Sequence, residues 1–186
     1  MDLVTPHTRH QASYLAGVDE FAGAHRDGDG QWVWIDDAGV QHDYTRAELE
    51  SPAGFAHFVE RRTDPDRPVA PGFVPCTFLW MEADGAYVGS LAIRHELNDF
   101  LRHEGGHIGY SVRPSARRRG HATEALRQSL TIARDRLGLD RVLVTCDDDN
   151  LGSITVIEAN GGELENVVTS SDGVPVRRYW ITGGGR

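Results

Sequence analysis

The sequence predicts a mixed α/β domain with a mostly antiparallel central sheet flanked by helices. Three observations carry this expectation. Two apolar runs after residue 75 are joined by a hairpin signal, a strand leads through a glycine into an amphipathic helix, and a second hairpin closes the chain. With 186 residues, 39% hydrophobic and 25% charged, the chain fits one compact domain, since single domains commonly run to roughly 100–200 residues.

The elements follow in order. Thr5 and Pro6 have the form of a helix cap and first turn, and Tyr14, Leu15, Val18, Phe21 and Ala22 recur at helical spacing, so a helix is expected over 6–24. Asp27-Gly28-Asp29-Gly30 is a turn-rich stretch, and alternation alone leaves Trp32–Ile35 open between strand and aromatic loop. Thr45 with Glu48 has capping-box spacing, and Ser51-Pro52 starts a helix carrying Phe55, Phe58 and Val59. Pro65, Pro68, Pro71 and Pro75 mark a loop. Strands are then expected over 76–83 and 86–95 about Asp84-Gly85, a short helix or loop over 97–103, and a strand over 107–112. A helix over 120–137 carries Ala122, Leu126, Leu130, Ala133 and Leu137 on one stripe. A strand over 141–146, a helix over 153–160, and a hairpin of 163–169 with 174–181 complete the order.

Composition excludes several chemistries. All 19 basic residues are arginine, so a P-loop lysine, a pyridoxal Schiff base and a catalytic lysine are ruled out. Cys76 and Cys146 each lie in an apolar run and fit buried thiols better than a disulfide framework. The formal net charge of −9 opposes nucleic acid and anionic lipid as partners and favours cationic ones. Residues 1–75 hold 13 acids against 6 arginines, a net of −7. No apolar run approaches the roughly 18 residues of a membrane span, and the start lacks a basic flank and an apolar signal segment, so a cytoplasmic location is expected.

The chemistry concentrates in Arg113-Pro114-Ser115-Ala116-Arg117-Arg118-Arg119-Gly120-His121-Ala122-Thr123. Four arginines in an acidic chain stand where a strand turns into a helix. A helix start offers unpaired N–H groups and the positive end of a dipole, and Gly120 lets main chain approach an anion closely. The stretch is a candidate phosphate cradle.

Arg117-x-x-Gly120-x-Ala122 at the head of that helix resembles the pyrophosphate-binding signature of the GNAT superfamily of acyl-CoA-dependent N-acetyltransferases. The stretches 93–98 and 105–110, and Asn150-x-x-Ser153 with Gly161-Gly162, are similar to one bacterial branch of predicted acetyltransferases. The resemblance covers 76–182 firmly and the front third loosely. It implies a single N-acetyltransferase domain over 1–186, with an acetyl-CoA-binding core at 76–182 and a variable acceptor-side region at 1–75. It also implies the GNAT fold, in which one strand splays from its neighbour and pairs with pantetheine. Carried over, Tyr110, Ser111 and Val112 would line the pantetheine, and Arg117, Arg118, Arg119, Gly120, His121, Ala122 and Thr123 would hold the phosphates. Asn150 and Ser153 would complete the acetyl-CoA site.

The implied reaction moves an acetyl group from acetyl-CoA to a primary amine of a small molecule or protein by direct attack in a ternary complex. Such an amine has a pKa of about 10.4, so something must take its proton near neutral pH. His107 leads the candidate bases, followed by Glu96, with Glu104 and His95 also in reach of the sequence argument. Many superfamily members place a tyrosine as general acid where this chain has Ile157. Ser153, Tyr110 or a water would substitute, and a thiol of pKa about 8.5 leaves fairly well without help. Ile157 is the one argument for the alternative, a non-catalytic acyl-CoA-binding or sensing module. A homodimer is compatible with the resemblance, and no metal is expected. His103-Glu104-Gly105-Gly106-His107 matches the H-E-x-x-H zinc pattern by letter, but the paired glycines and the following strand should keep the imidazoles apart. Asp147-Asp148-Asp149 is expected to be a solvated loop before a helix cap at Asn150.

Overall fold

The computed structural model describes residues 1–29, 32–36 and 38–182. Gly30, which the sequence places in a turn, lies outside the described residues. Nine strands and five α-helices follow in the order β1 (Asp2–Val4), α1 (Gln11–Glu20), β2 (Val33–Ile35), β3 (Gln41–Asp43), α2 (Arg46–Glu50), α3 (Pro52–Thr63), β4 (Cys76–Ala83), β5 (Ala86–Arg94), β6 (Ile108–Val112), α4 (His121–Leu137), β7 (Arg141–Asp147), α5 (Leu151–Ala159), β8 (Glu163–Thr169) and β9 (Pro175–Thr182) among the described residues. Seven strands form one sheet in the order β1-β4-β5-β6-β7-β9-β8, and β2 pairs with β3 apart from it. Only β6 and β7 run parallel within the large sheet.

Strand alternation sends side chains to opposite faces and so builds two cores. Leu91, Ile93, Ile108 and Val144 meet Leu126 of α4 and Ile157 of α5 on one face. Trp80 and Tyr87 meet Tyr14, Phe55 and Phe58 of α1 and α3 on the other. The expected capping box is present at Thr45 and Glu48, and Ser51 caps α3 with Pro52 in its first turn.

Two expectations at the front are corrected. The helix predicted over 6–24 is a 3₁₀ turn, Thr8–His10, followed by the shorter α1, because His7 rather than Thr5 caps the turn and the chain leaves helical geometry at Ala22 and Gly23. The strand β1 had no signal of its own: three residues pair with β4, about eighty positions away. Trp32–Ile35 resolves as the short strand β2, with Trp34 stacked on His42 at 4.5 Å.

Candidate functional site

The gap between β6 and β7 is the feature around which the site is built. The two strands register at a single pair, Ile108 with Val144, just after the His107 N–H donates to the Leu143 carbonyl at 2.7 Å. Beyond that point β6 stays paired to β5 and β7 to β9, so the parallel neighbours part. Arg94 N–H donates to the His107 carbonyl and Arg113 N–H to the Val88 carbonyl, which turns the odd-numbered main chain of β6 toward β5. By alternation, the N–H and C=O groups of Tyr110 and Val112 face the gap. Among these groups the Val112 carbonyl accepts from Arg117 Nε at 3.1 Å.

At the open end of the gap the chain turns through Pro114–Ala116 and Arg117 into α4. Arg118 has φ 62° and Gly120 has φ 80°, so two left-handed residues aim the turn's amides outward. Gly120 is the helix N-cap and no side chain caps the start. The first intrahelical bond runs from Glu124 N–H to the Gly120 carbonyl, leaving the preceding amides free for an anion. A Cβ at Gly120 would meet nothing within 4 Å, and residues 117–120 are exposed. Arg113 departs from its neighbours: it is bonded to Glu20, whose carboxylate also accepts from Ser115 N–H and Oγ at 2.9 Å. These bonds hold the Glu20 carboxyl down at about 2. Arg113 therefore anchors the turn to α1.

The residues fit an acyl-CoA. Tyr110 Oη and Ser111 Oγ are buried without a hydrogen-bond partner beside the gap. Burial pushes the Tyr110 phenol up and the nearby Ser153 hydroxyl pulls it back, although no bond of ordinary geometry joins the two. Asn150 caps α5 by accepting from Ser153 N–H at 3.0 Å. Ile157 is fully buried in the core against Gly162, away from any proton-transfer role.

The candidate bases separate in their surroundings. His107 is only 6% exposed, its Nδ1 accepts from Leu143 N–H at 2.9 Å, and burial, then Arg102 and Arg94, lower its pKa to about 4. His95 Nε2 is bonded to Thr77 Oγ1 at 2.8 Å, and Glu104 accepts from Ser171 N–H. Glu96 is exposed and makes no hydrogen bond to described residues. His103 donates toward the Thr169 carbonyl from the π-helical turn Leu101–Gly105, so part of the H-E-x-x-H stretch is helical after all. The turn ends at Gly106, and His107 points into the β6–β7 seam. Among the described residues no group of three or more His, Cys, Asp or Glu could hold a metal ion, and Asp148 is paired with Arg177 at 2.7 Å. No described helix is long and apolar enough to cross a membrane.

On the opposite face of the sheet, at the closed end of the gap, lies a cavity of about 350 Å³ that the sequence did not reveal. Trp34, Phe58, Phe73, Phe78 and Phe100 give it aromatic walls, and Arg61, Arg62, Arg67 and Arg94 also line it. It reaches Gly28, whose main chain presses against the Gly109 carbonyl so closely that a Cβ there would lie 2.3 Å from it. Asp29, next to Gly28, is buried and accepts from Ser90 Oγ, Arg26 Nε and the Tyr14 hydroxyl, which fixes this loop over β5 and β6. Phe55 is core only, whereas Phe58 and Trp34 belong to both core and cavity wall.

A parallel pair that opens after one registered position, above an uncapped helix start, defines an acyl-CoA acyltransferase fold. The family model for the GNAT acetyltransferase domain matches residues 16–163, and the chain belongs to that family and is an acyltransferase. Two solved structures show the same fold. RimL, an alpha-N-protein acetyltransferase of a ribosomal protein, in complex with coenzyme A, is 16% identical at TM-score 0.62, covering 97% of this chain and 92% of that one. A microcin self-immunity acetyltransferase in complex with acetyl-CoA and AMP is 15% identical at TM-score 0.61, covering 97% and 91%. A probable acetyltransferase at 24% identity and TM-score 0.49 aligns over 57% of this chain and 62% of its own. No curated protein matches the sequence.

Proposed function

We propose that the chain transfers an acetyl group from acetyl-CoA to the primary amine of a small molecule or a protein by direct attack in a ternary complex. The observation that carries this reading is the opening of β6 from β7 after Ile108, directly above the uncapped start of α4. In it, the amides of the turn and of His121 to Thr123 hold the diphosphate, with Arg117, Arg118 and Arg119 adding positive charge around it. The main chain of Tyr110 and Val112 pairs with the pantetheine arm, and Ser111, Asn150 and Ser153 shape its channel. Bound there, acetyl-CoA supplies an activated thioester.

The chain's own groups do the rest. An N–H of β6 facing the gap donates to the carbonyl oxygen as charge builds on it. The Tyr110 phenol, kept protonated by burial, and the Ser153 hydroxyl are the O–H groups proposed to serve the departing sulfur. His107 serves as a strut rather than as the base, because Leu143 N–H occupies its acceptor nitrogen. Glu96, exposed on the segment that leads to the cavity-lining Asn98 and Phe100, takes the amine proton directly or through water. A thiol-release assay with acetyl-CoA over a panel of amines tests the reading, with Glu96→Gln expected to lower kcat. Absence of heat when acetyl-CoA is titrated into the protein would refute it. Binding without thiol release on any amine would return the sensing module.

A further inference from the structure

We infer that the arginine-lined cavity is the acceptor subsite, and that it selects an amine whose apolar body carries an anionic group, a carboxylate or a phosphate. This rests on the acetyltransferase reading for its chemistry and extends it to the class of acceptor.

The cavity's polarity is the main argument. Four guanidinium groups line it and, among the described residues, no aspartate or glutamate does, in a chain with 28 acids. Arg61, Arg67 and Arg94 donate to neutral carbonyls. Arg61 donates to the Ile35 carbonyl at 2.8 Å, Arg94 to the Gly105 and Gly106 carbonyls at 2.7 and 3.1 Å, and Arg67 to the Asp64 and Cys76 carbonyls. A carbonyl orients a guanidinium without neutralising it. Arg61 also pairs with Asp64 at 3.7 Å, and its Nε is buried with no partner. The other titratable lining groups stay neutral near pH 7, since burial raises the Cys76 thiol to about 11 and the Tyr44 phenol to about 12. Burial, with repulsion from Arg62 and Arg61, pulls Arg67 below its ordinary range. Arg67 and Arg94, partly buried and held by carbonyls alone, carry charge that a bound anion would balance.

Shape and position agree with the charge. A cavity of about 350 Å³ is within the range of small-molecule sites, and its aromatic walls suit an apolar body. Arg62 lies over Phe58 at 4.3 Å and over Phe78 at 4.7 Å, and Arg67 over Phe78 at 5.0 Å, so these rings already face cations. The wall reaches Ala92 and Arg94, opposite Gly109 and His107 of β6, beside the point where β6 and β7 separate. An acceptor anchored here by its anion approaches that point from the side opposite the phosphate turn.

The test titrates N-acetyl-L-phenylalanine, its amide and phenyl phosphate into the ligand-free protein by calorimetry, at two salt concentrations. We expect the carboxylate probe to bind about tenfold tighter than the amide, consistent with a charge-assisted pairing, and the advantage to shrink with salt. Tighter binding of phenyl phosphate would assign phosphate, and tighter binding of the carboxylate would assign carboxylate, as the native anchor. Arg67→Met should remove most of the preference and Arg67→Lys should retain part of it. Binding of both anionic probes no tighter than the amide by the unmodified protein, or no binding of any probe, would overturn the proposal. In the thiol-release assay phenylalanine should then exceed phenethylamine about tenfold in kcat/KM, through KM. Anion preference without any acetyl transfer would sink the catalytic reading and leave the pocket standing, whereas transfer without anion preference would do the reverse.

Discussion

Two arginine clusters stand at opposite ends of the β6–β7 gap, and they are built on different principles. In the turn 117–120, the arginines are consecutive, exposed and secondary to the main chain, whose amides lie open at the start of α4. In the cavity, side chains from α3, the following loop and β5 converge, half-buried or buried, over aromatic rings. An exposed cradle of backbone amides suits a diphosphate whose charge is always the same. A walled cavity of guanidinium groups can instead discriminate shape as well as charge, which is what an acceptor site needs.

The largest effect should come from Gly120→Glu. It places a carboxylate in the cradle and a side chain at φ 80°, and acetyl-CoA affinity should fall by about a hundredfold or more in calorimetry, while binding of the anionic probes in the cavity is unchanged. If both ligands are lost together, the two clusters are one site.

Next comes His107→Ala, which strands the buried Leu143 N–H and should cost about 1–3 kcal/mol in denaturant melts. His107→Asn, which restores an acceptor, should recover part of that and retain turnover. The titration sign follows from the folded value of about 4, below the ordinary value of about 6.5. The neutral ring's contribution is complete above about 6.5 and is lost as pH falls toward 4, and His107→Asn should remove that part of the acid limb. A pH–rate profile that loses its base limb in His107→Asn would instead return His107 to catalysis.

Smaller is the effect of Arg119→Gln. As an exposed charge it should weaken acetyl-CoA binding only about three- to tenfold, and high salt should erase the difference. The smallest effect on acetyl-CoA binding is expected of Glu20→Gln, whose cost falls on stability above about pH 4.5. Its hydrogen bonds with Arg113 and Ser115 hold the Glu20 carboxyl below its ordinary value of 4.5, at about 2, so its contribution is present above about 4.5 and disappears as pH falls toward 2. The variant should flatten stability between those values and loosen the turn through Arg113.

The two clusters also explain why total charge misleads about the acceptor. The front region's net of −7 favours cationic partners at long range. Its acids, however, are largely committed at the surface and in the loop: Asp19 pairs with Arg46, Glu20 with Arg113, and Asp29 with Arg26. Among the described residues, the charged side chains lining the cavity are all arginine. Long-range attraction and local recognition are separate quantities, and only the second depends on which side chains share a wall.

What the amino-acid order determined by itself is mostly local in sequence. Capping at Thr45 and Asn150, the hairpins at Asp84-Gly85 and Asp172-Gly173, the stripe of α4 and the turn into it all depend on residues within a few positions of each other. Tertiary structure decided β1, the opening of β6 from β7, the burial of His107 and the assembly of the cavity. Each of these depends on a pairing or a wall made by segments tens of residues apart, so no short window contains it. A histidine reads the same whether its acceptor nitrogen is free or held by Leu143, and Arg67 and Arg94 become neighbours only once α3 and its loop have packed on the sheet.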